Sequence, residues 1–289
     1  MTIYSISILT STGFPYYHKK IKNLPEGIVL YQRFFDFSED TYRDHEALDA
    51  TSSFELNAGL ISALMEFAKN IDKKILTLEF KSLENLGKTK PSDLEFKKYT
   101  GDALIAMQTE TYLLHKSIKQ KINLIYNSIV SSKIPLETAN MISEEEEQKI
   151  VDILTDVKAR NHILKNEKKI RKQANDYFNE MGKYGLFNIV ITSFDLCPLL
   201  VLGDKFSSED IEMILRNLGG IPDIEPLEWK FRQSFYQNKQ VWVYLVNSGV
   251  GVSVDNLFQP YFYLLIADSQ SYFGEFPGKL TVSFNSLLG

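Results

Sequence analysis

The chain opens with apolar residues that alternate with polar ones, which is the period of a β-strand. Residues 3–9 and 14–21 carry this alternation on either side of a turn that contains Gly13 and Pro15, so they predict an antiparallel hairpin. Residues 27–35 are rich in β-branched and aromatic side chains and predict a further strand. We therefore expect the beginning of the chain to supply three strands of one sheet.

The apolar pattern then changes to the period of a helix. From Leu60 to Ile71 apolar residues recur every three or four positions, after a capping box formed by Ser52 and Glu55, which predicts an amphipathic helix. Alternation then predicts three strands, at 74–80, 94–99 and 102–109. The apolar face of a second predicted helix consists of Leu114, Ile118, Ile122, Ile125 and Ile129. Pro135 ends that helix.

The second half of the chain repeats this order of patterns. A hairpin is predicted over residues 187–201, and Ser207 with Asp210 forms another capping box, before a helix with inward Ile211, Ile214, Leu215 and Leu218. Three more strands are predicted at 229–236, 240–246 and 260–267. The glycines at Gly249 and Gly251 predict a turn or bulge between the last two of these strands.

Between the halves, residues 143–181 predict a helix. Ser143 is followed by four glutamates, and basic residues come later, which complements the helix dipole. If unbroken, this helix is about 58 Å long at the rise of an α-helix. Lys168 and Arg171 interrupt its apolar stripe, which includes Leu164, and this favours an amphipathic linker over a coiled coil. We expect the linker to cover the second sheet, because residues 276–289 predict strand or coil.

Together these elements predict an α+β protein with two antiparallel sheets. The sequence resembles the longin fold and the related roadblock fold. The segments that carry the resemblance are Ile3–Tyr17, Ala58–Ala68 and Asp102–Met107 with the helix that follows. The resemblance implies a β-β-α-β-β-β-α plan in each of two modules joined by a long amphipathic helix. It places a longin-like domain at 1–132, a helical linker at 133–184 and a second, degenerate module at 185–289.

Composition and charge limit the classes of function. The chain has 289 residues, of which 44% are hydrophobic, enough for two domains with ordinary cores. A single cysteine excludes an intramolecular disulfide and a thiolate zinc cluster, and it favours a cytoplasmic location. No apolar run approaches the ~18 residues of a membrane-spanning helix. A net charge of -5 provides no general attraction for nucleic acid.

Motifs with reactive or ligand-binding chemistry are few. Gly87-Lys-Thr89 lacks the first glycine of a phosphate-binding loop, and the acidic segment 36–49 does not have the spacing of a calcium loop. The histidines stand singly, at His18, His45, His115 and His162. Cys197 lies between apolar residues and predicts a small core thiol rather than a nucleophile. The sequence therefore predicts no catalytic residue, no cofactor and no metal, and a protein that is not an enzyme.

Aromatic residues in an apparent insertion favour a protein interface, because aromatic side chains bury a large area with few rotatable bonds. The predicted partner-binding residues are Phe34, Phe35, Phe37, Glu66, Lys69 and Asn70. The longin and roadblock resemblance implies an interaction scaffold or regulator of a trafficking-type complex. Its implied partner is a small Ras-like GTPase or another longin or roadblock protein, in a homodimer or heterodimer.

Two alternatives remain open from the sequence. One is an enzyme with an unrecognised site in a cleft between the halves, which requires converging carboxylates or a histidine beside Cys197. The other is a membrane-surface adaptor that uses the basic part of the linker helix. That alternative requires four lysines to share an exposed helix face, namely Lys165, Lys168, Lys169 and Lys172.

Overall fold

The computed structural model describes residues 2–10, 13–37, 59, 62–66, 68–70, 103–137 and 140–289. The chain divides into two units, one made of Met1–Ser38 with Thr100–Gly289 and the other of Glu39–Tyr99. In the second unit the described residues are helical, and all except Gly59 fall within the predicted helix from Leu60 to Ile71. The capping box at Ser52 and the strands predicted at 74–80 and 94–99 lie outside the described residues.

In its described part, the first unit contains two antiparallel sheets, which confirms the α+β class. The first sheet contains β1 (Ile3–Leu9), β2 (Pro15–Lys20), β3 (Leu30–Asp36) and β4 (Leu104–Glu110), in the order β2-β1-β4-β3. The second contains β5 (Leu186–Thr192), β6 (Pro198–Leu202), β7 (Trp229–Tyr236), β8 (Lys239–Val254) and β9 (Leu257–Asp268), in the order β6-β5-β9-β8-β7. These strands lie where the alternation of apolar residues predicts them.

Five α-helices lie in the described part of this unit. They are α1 (His115–Ser128), α2 (Glu144–Leu154), α3 (Val157–Met181), α4 (Ser208–Arg216) and α5 (Phe276–Leu288). The isoleucines predicted to face inward in α1 and α4 are buried. At the start of α4, the Ser207 hydroxyl accepts from the Asp210 amide and the Asp210 carboxylate accepts from the Ser207 amide, which confirms the predicted capping box.

The first sheet has a buried centre that α1 and α2 adjoin. Ile6 and Ile8 of β1 lie opposite Met107 and Ile105 of β4, and all four side chains are buried. The ring of Tyr126 in α1 stacks on Phe37, directly after β3, with centroids 4.1 Å apart. In α2, Glu147 accepts a hydrogen bond from Tyr17 and pairs with Lys19, and both of these residues belong to β2.

Helices cover both faces of the second sheet. α3 and α5 pack on one face, where Ile163, Ile170 and Phe284 join strand residues in a common core. α4 packs on the other face through Ile214 and its neighbours. Tyr112, from the segment between β4 and α1, also lies in this second core. The two sheets are therefore joined by buried apolar side chains, and α3 supplies the cover expected from the 143–181 segment.

The 143–181 segment is not one continuous helix. Asp156 adopts a left-handed backbone conformation, with φ 57° and ψ 36°, and separates α2 from α3. Such a conformation interrupts the hydrogen-bonded ladder of a right-handed helix. The inward position predicted for Leu164 is also wrong, because its side chain is 61% exposed. The break has a physical reason, because it turns the Asp156 carboxylate towards a buried lysine.

Residues 276–288 form α5, so the strand or coil predicted for residues 276–289 is wrong. Leu280 and Phe284 lie one turn apart on the same side of this helix, and both are fully buried. Gly278 and Thr281 have low helix propensity, which obscured this spacing in the sequence. Burial of one apolar face against the second sheet outweighs those propensities.

Gly249 and Gly251 lie in a bulge inside β8 rather than between two strands. The pairing of β8 with β9 shifts register between Asn247 and Gly251, and Gly249 has a φ of 72°. A Cβ atom on Gly251 would lie 2.0 Å from the Gln259 carbonyl oxygen of β9, so the backbones approach too closely for any side chain. A bulge is therefore confirmed, but its predicted position between two strands is wrong, because β8 continues on both sides of it.

Candidate functional site

A buried cluster of charged side chains lies where the first and second halves of the unit meet. The Lys121 ammonium of α1 lies 2.6 Å from Asp156 Oδ1 and 3.0 Å from Asp195 Oδ2. All three side chains are almost completely shielded from solvent. We call these three residues the buried triad. It is the place where carboxylates from distant parts of the sequence converge.

Local structure holds each member of the buried triad in place. Lys121 stands on the apolar face of α1, and Asp156 reaches it through the left-handed break between α2 and α3. Asp195 occupies the turn between β5 and β6. It accepts hydrogen bonds from the Thr2 hydroxyl at 2.9 Å and from the Ser193 hydroxyl. A residue near the start of the chain and a neighbour in the same turn thus satisfy the same carboxylate.

The surroundings of the buried triad shift the pKa values of its two carboxyl groups in opposite directions. Burial and the neighbouring charge of Asp195 raise the pKa of Asp156 to about 7. Burial alone would raise the pKa of Asp195, but the charge of Lys121 and the hydrogen bonds from Asp156 and Ser193 outweigh it and lower that pKa. Burial alone would lower the pKa of Lys121, whereas the two carboxylates raise it. When Asp156 holds a proton, Lys121 and Asp195 form a charge-balanced pair.

A second ion pair, between a buried glutamate and a partly buried arginine, joins the first sheet to α4. The guanidinium of Arg216, at the end of α4, contacts the two oxygens of Glu110 at 3.0 and 2.6 Å, and Glu110 is fully buried at the end of β4. The Tyr4 hydroxyl of β1 donates to the same carboxylate. A bidentate arginine pair fixes orientation as well as distance. Together with the buried triad, it fixes how the two sheets meet.

Cys197 is a core thiol, as the sequence predicts. Its side chain is buried, burial raises the pKa of the thiol, and its sulfur accepts a hydrogen bond from Arg160 at 3.0 Å. His162, the histidine of α3, bonds instead with the Tyr261 hydroxyl at 2.7 Å. The converging carboxylates required for an enzyme are present, but they are shielded from solvent and paired with Lys121. Their geometry serves to fix the fold.

The open edge of the second sheet presents aromatic side chains to solvent. Among the described residues β7 pairs with β8 alone. Phe231 and Phe235 project from the same face of β7 and are 52% and 47% exposed. The Phe231 ring lies 5.3 Å from the ring of Trp242 and 5.5 Å from that of Tyr244, so the exposed edge continues into an aromatic cluster. We call β7 with Phe231 and Phe235 the β7 edge.

The sequence predicted β7 as a strand, and its charged residues carry the sign that it lies at an edge. Two exposed cations, Lys230 and Arg232, lie on either side of Phe231 along it. Alternating cations on a short strand are typical of sheet edges, and this was the available signal. The signal for the buried triad was Lys121 itself, because a lysine at that position interrupts the apolar face formed by Ile118, Ile122 and Ile125 of α1.

Within the first unit, the three predicted partner-binding phenylalanines do not lie on one surface. Phe34 is 62% exposed, whereas Phe35 points to the opposite face of β3 and lies 6.3 Å from the ring of His115. Phe37 is buried against Tyr126. The other three predicted residues are exposed on the helical part of the second unit, at Glu66, Lys69 and Asn70.

The lysines of α3 are arranged on one side of the helix. Ile163, Ile170 and Ala174 face the second sheet and are buried, while the four lysines that the membrane alternative requires are all exposed: Lys165, Lys168, Lys169 and Lys172. At 3.6 residues per turn these four positions fall on the arc opposite the buried face. We call them the lysine face.

The described residues contain neither a metal-binding cluster nor a membrane-spanning helix. Among the described residues, no group of three or more histidine, cysteine, aspartate or glutamate side chains is placed to hold a metal ion. None of the helices that the structure describes is long and apolar enough to cross a bilayer. The chain matches no model of a protein family, and no curated protein resembles it significantly in sequence.

Proposed function

We propose that this protein is a non-enzymatic interaction scaffold that binds a protein partner at the β7 edge. The observation that carries the proposal is the exposure of Phe231 and Phe235 on a strand that pairs on one side only within the described residues. Exposed aromatic side chains that adjoin one another favour burial by a partner. An edge strand also offers backbone donors and acceptors to an incoming strand.

The two kinds of contact have different consequences for recognition. Backbone hydrogen bonds to β7 would provide affinity for any extended segment, since they do not depend on its side chains. The pair of phenylalanines would select a partner with apolar residues at alternate positions, because side chains on one face of a strand recur every second residue. On the other face of the strand, Lys230 and Arg232 would favour a partner with acidic residues there.

The class of partner follows from the resemblance stated above. In the second half, the elements run strand, strand, helix, three strands, helix, from β5 to α5, which supports a longin or roadblock-like module. We therefore propose a small Ras-like GTPase or another longin or roadblock protein as the partner, in the cytoplasm. The buried triad and the Glu110–Arg216 pair give the platform a fixed shape, which lowers the cost of binding.

Affinity capture from the native lysate tests this proposal. The purified full chain is immobilised and exposed to lysate with GDP or with a non-hydrolysable GTP analogue, and the bound proteins are identified. The double variant Phe231→Ser with Phe235→Ser removes the aromatic edge, while Val282→Ser alters an equally apolar residue that is 73% exposed on α5. Thermal unfolding of both variants verifies that they fold.

We expect the wild type and Val282→Ser to retain the same partner and the double variant to lose it. Loss of a well-packed aromatic pair at an interface weakens binding at least tenfold, by about 1.4 kcal/mol or more. Retention that depends on the nucleotide identifies a GTPase. Equal retention by all three proteins would place the interface elsewhere, and retention of no protein by the wild type would refute the scaffold proposal.

A further inference from the structure

The lysine face of α3 is a concentrated positive charge on a protein whose net charge is negative. The chain as a whole has a net charge of -5, yet Lys165, Lys168, Lys169 and Lys172 occupy two turns of one helix. In the described part of the chain, none of the four forms an ion pair. Glu167, the acidic residue among them, is itself paired with Arg171 at 2.8 Å. The charge of the lysine face is therefore available to a partner.

An exposed apolar side chain adjoins this charge. Leu164 precedes Lys165, lies next to Lys168 on the helix surface, and is 61% exposed. The buried side of the helix packs on the second sheet through Ile163 and Ile170, so the helix cannot rotate to hide Leu164. A fixed helix with cations and one projecting apolar residue on its outer side matches the interface region of a bilayer, where both kinds of side chain are stabilised.

We propose that the lysine face binds the surface of an anionic lipid bilayer, with Leu164 entering the headgroup region. Clusters of four or more lysines are attracted by the surface potential of anionic lipids without a shaped binding pocket. A lysine ammonium is a flexible point charge, whereas recognition of a specific carboxylate or phosphate group favours the planar fork of arginine. All four residues of the face are lysines, which favours a diffuse anionic surface over an acidic protein.

Vesicle flotation with the full chain tests the proposal. One set of vesicles contains phosphatidylserine and phosphatidylcholine in a one-to-three ratio, and the other contains phosphatidylcholine alone. The test variant is Lys165→Glu with Lys172→Glu. The matched control is Lys116→Glu with Lys239→Glu, which changes the net charge equally at exposed positions on α1 and β8.

We expect the wild type to bind the anionic vesicles and not the neutral ones, with binding lost at high salt because the attraction is screened. Each lysine near an anionic membrane surface strengthens binding of the protein to the vesicles about fivefold. The double variant Lys165→Glu with Lys172→Glu should therefore weaken that binding by at least about 25-fold. The control should stay within about threefold of the wild type, since its charges lie away from the lysine face.

Three results would overturn the proposal. Equal binding of the wild type to both kinds of vesicle would show that the charge of the lipids does not drive binding. An equal loss in the test and control variants would show that net charge alone matters. Binding to soluble polyglutamate without binding to anionic vesicles would assign the lysine face to an acidic protein. A variant with Leu164→Ser separates these cases, because it should weaken binding to vesicles and leave binding to polyglutamate unchanged.

Discussion

Lys121 shows how one residue can decide the way two parts of a chain meet. It stands among isoleucines on α1, where burial of an unpaired ammonium would cost several kcal/mol. The carboxylates of Asp156 and Asp195 offset that cost, and both lie in backbone turns that present them to the lysine. The cost of burying these charges makes the arrangement specific, since any other packing of the halves would leave one of them unpaired.

Replacement of Asp156 by asparagine should change how stability depends on pH. The pKa of Asp156 is raised in the folded protein to about 7, above the ~3.9 of an unfolded chain. The folded state therefore binds the extra proton, and the stability from this group declines as pH rises from about 4 to about 7. In Asp156→Asn that decline disappears, because asparagine resembles the protonated acid and tolerates a positive φ.

Urea unfolding at pH 5 and pH 8 measures this effect. The wild type should lose more free energy of unfolding between the two pH values than Asp156→Asn does. The variant Asp152→Asn, which alters a carboxylate of α2 outside the buried triad, should keep the behaviour of the wild type. An Asp156→Asn protein with the same pH dependence as the wild type would show that Asp156 does not titrate in this range.

At the scale of elements, the spacing of apolar residues predicted most of the strands and helices. For residues 276–289, the amino-acid composition led to a wrong prediction. The hairpins, the strands β3, β4, β7 and β9, and the helices α1 and α4 follow from periods of two and of three to four residues. α5 has the helical spacing of Leu280 and Phe284 but is rich in residues that favour other structures. Its helix depends on the sheet beneath it, which no local pattern could reveal.

Leu280→Ala should destabilise the first unit through the core that α5 shares with α3 and the second sheet. Leu280 is completely buried there, and removal of a leucine side chain from a packed core costs about 2 to 5 kcal/mol. Val282→Ala, on the exposed side of the same helix, should change stability by less than about 0.5 kcal/mol. Equal effects of the two substitutions in urea unfolding would contradict the assignment of α5 as a covering helix.

At the scale of the whole molecule, the sequence predicted two sheets but not how they meet. Lys121, Asp156 and Asp195 lie far apart in the chain, and so do Glu110 and Arg216, so their convergence depends on tertiary structure. The same limit applies to the β7 edge, because the pattern of a strand does not state which neighbours it has. The predicted contact residues Phe34 and Phe35 lie on opposite faces of β3, because consecutive side chains of a strand alternate between its faces.

The unit thus combines a fixed interior with two features that are exposed in the described part of the chain, the β7 edge and the lysine face. Buried ion pairs and shared apolar cores hold the two sheets in one arrangement. Scaffolds bind more tightly when their contact surface is rigid before binding, because less conformational entropy is lost. The two features lie on different elements, so a partner at the β7 edge and a membrane at the lysine face are separate contacts.

Amide hydrogen exchange on the full chain, alone and with the partner retained by affinity capture, tests the central claim most directly. If the partner binds the β7 edge, the amides of residues 229–236 that point away from β8 should exchange more slowly in the complex, because an added strand accepts hydrogen bonds from them. The amides of α3 should be unchanged by a protein partner. Slower exchange confined to other elements, with β7 unaffected, would contradict the account.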